Sequence, residues 1–187
     1  MNSKRLTDAL KQIPLQLLLL LVTGLIAEFA MIIPGLIVKA FVWFGNSSSA
    51  ERVDGVGYLV VGIIGLIASV IAVYMFMNKP GVDGAIVAEM YDTANPNLNI
   101  IYPLLIVIVS VGVYFGICCI AGYQFIGGPV SYFAPFFARA TGNTSFSDVP
   151  TSYKLISMVI LVVCEIPAMI MGYIRGFKSR KSGKSLL

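Results

Sequence analysis

The chain has 187 residues, a net charge of +4, 58% hydrophobic residues and only 12% charged residues, about half the charged fraction of a typical soluble domain. This composition excludes a water-soluble globular protein and predicts one transmembrane domain over residues 1–187. Histidine is absent, which removes imidazole bases, Ser-His and Cys-His dyads and most zinc sites. The sequence also lacks a Walker loop, a dinucleotide-binding glycine pattern, a metal-ligand cluster and a nucleophile elbow, so no cofactor or metal is predicted.

Four apolar stretches are long enough to cross the ~30 Å hydrocarbon core as helices. Residues 1–13 precede them and place apolar side chains on one helical face, which predicts an amphipathic helix on the inner membrane surface. The predicted spans cover residues 17–38, 57–77, 100–121 and 155–174. The predicted fold class is therefore an all-α membrane protein, a four-helix transmembrane bundle with an N-terminal amphipathic helix and an outer interfacial segment.

Two connecting segments carry structure of their own in this prediction. Residues 78–99 form a polar loop in which Asp83 caps a short helix containing Ile86, Val87 and Met90. After the third span, Gly127-Gly128-Pro129 breaks the helix and leads into an aromatic segment suited to the outer interface. Pro135 argues against a continuous helix in that segment.

Orientation follows from the distribution of positive charge. Nine of the 13 Lys and Arg residues fall at the N-terminus, in the 78–99 loop or in the polybasic tail 175–187. The positive-inside rule then places both termini in the cytoplasm. The tail is expected to hold anionic lipid headgroups by electrostatics, through Arg175, Lys178, Arg180, Lys181 and Lys184. Nucleic acid is not expected as a partner, because topology accounts for this charge.

Two N-x-S/T sequons begin at Asn46 and Asn143, in the loops assigned to the outside. The motif is short and common, and the sequence alone leaves its use open.

Two acidic residues lie far from the ends of their spans. Glu28 in the first span and Glu165 in the fourth are each about 14–17 Å from the inner boundary at the helical rise. An ionised carboxylate facing lipid there costs at least ~2.5 kcal/mol, and no Lys or Arg lies at that depth. The pair therefore indicates either a proton or ligand site or two neutral residues that hydrogen-bond across a packed interface.

Small residues mark predicted helix contacts. The second span carries Gly62, Gly65 and Ser69 on one stripe, and the third has Gly112 and Gly116 in G-x-x-x-G spacing. The sequence does not decide whether the packing partner lies in this chain or in another copy. The cysteines are expected to be packing residues without disulfides, and these are Cys118, Cys119 and Cys164.

The leading functional hypothesis is a non-enzymatic transport component, such as a small carrier, channel or permease subunit, with the embedded acids lining a polar interior. Its expected partners are the lipid bilayer and either further copies of the chain or other membrane subunits. An accessory or assembly subunit of a larger membrane complex is the first alternative. An intramembrane enzyme is the second, and it is disfavoured because its base and nucleophile would have to come from carboxylates, thiols and hydroxyls alone.

Overall fold

A computed structural model of the chain describes residue 7 and residues 10–44, 47–91, 101–121, 128–141 and 149–181. Within these ranges the regular structure is helical. The helices are α1 (Ile13–Phe44), α2 (Ser47–Phe76), α3 (Asn78–Tyr91), α4 (Ile101–Ala121), α5 (Val130–Ala140) and α6 (Thr151–Lys181). Most of the predicted amphipathic helix over residues 1–13, Asn46 of the first sequon and the whole of the second sequon lie outside the described residues.

Three of the described helical segments are long and apolar enough to cross a membrane: Ile13–Val38, Gly55–Met90 and Thr151–Arg180. Large apolar side chains cover the outside of these helices, as at Phe29 (71% exposed) and Ile33 (70% exposed). A surface of this kind is costly in water and natural in lipid. The prediction of a multi-pass helical membrane protein is therefore confirmed. α4 supplies a shorter apolar stretch, Leu104–Ile117, and its role as a fourth crossing stays a prediction.

The short helix predicted within residues 78–99 around Ile86, Val87 and Met90 is present as α3. The predicted loop before that helix is wrong, because α3 begins at Asn78 and continues the helical path of α2. The Met77 amide donates to the Val73 carbonyl at 3.0 Å, and the Gly81 amide donates to the Met77 carbonyl at 3.1 Å. Pro80 lacks an amide hydrogen, so the helical bond at that position is missing, which accounts for the short interruption at Met77. Asp83 lies inside α3 rather than at its cap.

Two other predicted boundaries are also corrected. α5 runs from Val130 to Ala140 with Pro135 inside it, so the proline did not end the helix. α6 continues to Lys181, and the first part of the predicted polybasic tail is therefore helical. Close contacts at Gly172 and Gly176 hold this part of α6.

The chain divides into two compact units. Unit 1 comprises Met1–Leu21, Val70–Gly116 and Cys164–Leu187, and unit 2 comprises Val22–Ser69 and Ile117–Val163.

In unit 2, α1 and α2 pack antiparallel through glycines. A Cβ built at Gly57 would lie 2.5 Å from Val38 Cγ1, and Gly65 packs equally closely against the Met31 side chain. Later residues of α2 thus meet earlier residues of α1, as antiparallel neighbours require. Ala27, Met31 and Val61, all 0% exposed, form the centre of this packing.

In unit 1, the end of α2 and the start of α3 pack against the end of α6. Gly172 lies against the Tyr74 carbonyl and Gly176 against the Asn78 carbonyl, so both helical segments advance in the same direction along the contact. Backbone lies directly on backbone here because glycine has no side chain to hold the helices apart.

Candidate functional site

Glu28 lies at the edge of the packed face of α1. Its neighbours in sequence and on the helix, Ala27 and Met31, are fully buried, whereas Phe29 is exposed and Glu28 itself is half-buried. The carboxyl group therefore borders the interior of unit 2 at the centre of the candidate span Ile13–Val38.

The first turn of α5 meets α1 at the same depth. A Cβ built at Gly128 would lie 3.3 Å from the Gly24 carbonyl oxygen and 3.3 Å from Ala27 Cβ. Gly128 has a φ of +38°, in the left-handed region that glycine adopts without strain. The sequence Gly127-Gly128-Pro129 predicted a helix break at this point. It did not predict that the turn lies against the middle of α1. The first turn of α5 therefore lies beside the middle of the candidate span Ile13–Val38.

The N-terminal turn of α5 provides hydrogen-bond partners for several of its own backbone groups. The Ser131 hydroxyl donates to the Gly128 carbonyl at 2.7 Å, and the Phe133 amide donates to the Pro129 carbonyl at 3.0 Å. The remaining amides at a helix start carry partial positive charge. A carboxylate or another anionic group is therefore favoured beside this turn.

Tyr132 connects α5 to both neighbouring helices. A Cβ built at Gly35 would lie 2.6 Å from the Tyr132 hydroxyl oxygen, and the Tyr132 and Tyr58 ring centroids are 5.8 Å apart at 45°. Tyr132 follows Gly128 by four residues, and the Gly128 turn lies against Ala27, the sequence neighbour of Glu28. The phenol can therefore serve as a hydrogen-bond donor beside an acidic residue.

We call Glu28, Tyr58, Tyr132 and Gly128 together the α5 site. It combines a carboxyl group, two phenols and the positive end of a short helix within one unit. Such a set can accept and release a proton at the carboxyl group, or bind a small cation there. Sequence reasoning found Glu28 but missed both tyrosines, which carried no spacing signal because they lie on different helices.

Glu165 is 3% exposed on α6 and belongs to unit 1, whereas Glu28 belongs to unit 2. The action of the two glutamates as a pair stays a prediction.

The predicted packing residues have different surroundings. A Cβ built at Gly62 would lie 2.9 Å from the Phe133 ring, Gly65 touches Met31, and Ser69 is 1% exposed. In contrast, no atom lies within 4 Å of a Cβ built at Gly112 or Gly116 among the described residues. The two glycines of the α4 G-x-x-x-G motif therefore have no close neighbour among the described residues.

Sequence reasoning missed a second group of glycine contacts in unit 1. Gly81 packs on the backbone of Tyr173 and Phe177, and Gly84 packs on the Tyr173 side chain. The signal was present, because Gly172 and Gly176 have the same G-x-x-x-G spacing as the α4 pair.

A buried polar pair in unit 1 was also missed. Gln16 is 1% exposed, Ser110 is 0% exposed, and the Ser110 hydroxyl donates to Gln16 Oε1 at 3.2 Å. Gln16 Nε2 and Gln12 Oε1 have no hydrogen-bond partner among the described groups. This pair links the start of α1 to α4.

Of the five predicted headgroup residues, Arg175, Lys178 and Arg180 have described side chains. All three are exposed, and Arg180 lies 3.9 Å from the Glu89 carboxylate. Lys181 is described only as part of α6, and Lys184 lies outside the described residues. Cys164 is a free thiol, and the side chains of Cys118 and Cys119 lie outside the described set. In the described part of the chain, no group of three or more His, Cys, Asp or Glu residues is placed to hold a metal ion.

The chain matches no protein-family model, and no curated protein or solved structure is significantly similar to it. The residues of the site are therefore the available guide to function.

Proposed function

We propose that the chain is a transport component of a membrane, a small carrier, channel or permease subunit, in which the α5 site lines the path of the transported species. The observation that carries the proposal is the contact of Gly128 with Gly24 and Ala27. It brings the start of a short helix to the middle of the candidate span Ile13–Val38, beside Glu28.

A helix that begins at mid-membrane is costly unless it serves a purpose. Its unpaired amides have no water to bind in lipid, so such breaks are tolerated only where protein covers them or where they line a water-filled cavity. Carriers use this arrangement because the positive helix start and nearby polar side chains form a binding site near the midplane. α5 has 11 residues and covers about 16 Å, roughly half the hydrocarbon thickness.

In the proposed mechanism, Glu28 alternates between a protonated form and a carboxylate that faces the start of α5. The helix dipole and the phenol of Tyr132 stabilise the carboxylate when the proton leaves. A small cation or an organic cation binds in place of the proton, since either one neutralises the same charge. The exchange of proton for cation at Glu28 is the coupling step.

A single copy offers little room for a complete pathway, so the proposal includes assembly with further copies or other membrane subunits. The face of α4 around Gly112 and Gly116 is suited to this role, because these two glycines have no close neighbour among the described residues. The same face supports the alternative function, an accessory subunit that docks on a larger complex. We further propose that both termini are cytoplasmic, from the charge distribution.

Reconstituted vesicles test the transport proposal with a panel of cations rather than one chosen substrate. Vesicles loaded with K⁺ and a pH-sensitive dye, with valinomycin to set an inside-negative potential, report proton entry before and after addition of inorganic and organic cations. We expect proton movement with the wild-type chain in at least one of these conditions. Glu28→Gln should abolish it while keeping the fold, because Gln keeps the volume and hydrogen-bonding capacity of Glu.

Glu165→Gln is the matched control for a buried acid in the other unit. Loss of proton movement in both variants would support joint action of the two acids, whereas loss in Glu28→Gln alone would assign the function to the α5 site. Wild-type vesicles that behave like protein-free vesicles, or full activity in Glu28→Gln, would contradict the proposal and favour the accessory role.

A further inference from the structure

The C-terminal part of α6 carries a cation, Arg175, that contacts a tyrosine side chain of α2. The Arg175 guanidinium donates a hydrogen bond from Nη1 to the Tyr74 hydroxyl at 3.2 Å. Its central carbon lies 5.5 Å from the centroid of the same ring, within the range of a cation–π contact. Both residues belong to unit 1.

The position of Tyr74 is itself fixed by close helix packing. The Tyr74 carbonyl lies against Gly172, one turn before Arg175 on α6. Because Gly172 has no side chain, α2 and α6 approach until their backbones touch, and the ring of Tyr74 comes to lie beneath Arg175. The guanidinium therefore contacts Tyr74 without a ligand present.

The Arg175 guanidinium keeps most of its donors available. One N–H group is used on Tyr74, and within the described residues no carboxylate pairs with Arg175. Arg180, by contrast, lies 3.9 Å from Glu89, so part of its charge is already neutralised. Lys178 is exposed and lies three residues after Arg175, on the same side of the helix.

From this arrangement we propose that Tyr74, Arg175 and Lys178 form a site for the phosphate of an anionic membrane lipid. A planar guanidinium binds two phosphate oxygens in parallel, and Lys178 adds a second positive charge within one turn. Tyr74 is a positioning residue that acts through Arg175. The site is independent of the transport proposal.

The location favours a lipid over a free phosphate ion. Arg175 lies near the end of the candidate span Thr151–Arg180, and Met171, one turn earlier, is an exposed apolar side chain (58% exposed). A ligand with a phosphate on Arg175 and an acyl chain along Met171 fits both surfaces. Tyrosine and arginine side chains also occur commonly at this depth of a bilayer.

Native mass spectrometry of the purified chain in mild detergent tests the site, with phosphatidylglycerol added as the anionic lipid and phosphatidylcholine as the neutral one. We expect selective retention of phosphatidylglycerol. Arg175→Gln should weaken its affinity about fivefold, the factor expected for one basic residue near an anionic headgroup. Excess inorganic phosphate should not displace the lipid, whereas displacement by phosphate alone would contradict a lipid site.

Three further variants distinguish a defined site at Tyr74, Arg175 and Lys178 from general attraction of the anionic lipid to the positively charged tail. Arg175→Lys keeps the charge but loses the planar fork and the stacking, so it should also weaken binding. Tyr74→Phe removes only the hydroxyl and should reduce selectivity for the anionic lipid by a smaller factor. Lys184→Gln removes one charge from the tail and should have little effect. Equal losses in Arg175→Gln and Lys184→Gln, or full binding by Arg175→Lys, would overturn the proposal. Melting temperatures measured in parallel show that each variant is folded.

Discussion

Gly128 and Gly24 meet where α5 begins, with a Cβ at Gly128 only 3.3 Å from the Gly24 carbonyl oxygen. Gly24 lies close to the midpoint of the candidate span Ile13–Val38. The start of α5 is therefore a mid-span feature, and the proposed transport function depends on it. Changes at this contact should affect the fold and the function together.

Gly128→Ala should destabilise the chain. Alanine at a φ of +38° costs about 1–2 kcal/mol, and the new methyl group also approaches Ala27. Thermal unfolding in detergent measures the effect. Gly116→Ala is the matched control, because Gly116 is helical with no close neighbour among the described residues, and alanine there should be neutral or stabilise by up to about 1 kcal/mol. Equal melting temperatures for wild type and Gly128→Ala would contradict the left-handed turn.

Leucine substitutions distinguish the two glycine faces. Gly65→Leu should destabilise the chain by about 1–3 kcal/mol or more, because the position is filled by the Met31 side chain and overpacking forces the helices apart. Gly112→Leu should change the stability of the single chain by less than about 0.5 kcal/mol. The size of the protein in detergent then tests whether Gly112 also contributes to assembly with other copies or subunits. A smaller assembly in Gly112→Leu and Gly116→Leu would identify the α4 face as a contact between copies or subunits, and strong unfolding of Gly112→Leu would contradict the described packing.

Tyr132→Phe should slow proton movement in reconstituted vesicles without unfolding the chain. The variant keeps the ring that packs near Tyr58 but loses the hydroxyl, which in the proposed mechanism donates a hydrogen bond to the Glu28 carboxylate. A hydrogen bond to a charged group contributes about 1.5–3 kcal/mol, so the rate should fall by about tenfold or more. Tyr74→Phe removes a phenol hydroxyl in unit 1 and is the control. Equal rates in wild type and Tyr132→Phe would remove Tyr132 from the proposed mechanism.

A double-mutant cycle should detect the buried pair of Gln16 and Ser110. Gln16→Leu leaves the Ser110 hydroxyl without its acceptor in a buried position, which costs about 1–3 kcal/mol. Ser110→Ala should cost less, and the double variant should lose less stability than the two single variants added together. Strict additivity in thermal or denaturant unfolding would mean that the two side chains do not interact.

Tags test the proposed orientation. A tag at Ser3 and another after Ser182 should both be cytoplasmic, and a tag within residues 44–54 should lie outside. Accessibility to a membrane-impermeant label in intact cells reports each position. Termini on opposite sides would mean that α4 does not complete a crossing.

The long apolar helices were predictable from the sequence because an apolar run of sufficient length crosses the bilayer as a helix, whichever helices it packs against. The start of α3 at Asn78 was not, because Pro80, Gly81 and Gly84 are typical of a loop and the contacts of Gly81 and Gly84 with α6 depend on the fold. Identical G-x-x-x-G spacing at Gly112 and at Gly172 led to an open face in one case and a tight contact in the other. Spacing identifies a face that permits close approach, but the fold determines which faces are used.

At the candidate site, Glu28 could be singled out from the sequence, because an ionised acidic side chain within an apolar span costs free energy unless protein or water surrounds it. Tyr58 and Tyr132 were not, since their proximity depends on how deeply α5 enters between α1 and α2. That depth is set by contacts of Gly35, Gly62 and Gly128 with residues distant in sequence. No pattern in the local sequence indicates such contacts.

The partial entry of α5 also has a consequence for how the protein is made. A helix of 11 residues is too short to be inserted into the bilayer as a span of its own. α5 can enter only after α1 and α2 have come together, because the glycines that receive it lie on both of them. The chain order provides for this, since α1 and α2 are synthesised before α5. The polar site therefore forms only in a docking step that follows the pairing of α1 and α2, and it is absent before that pairing.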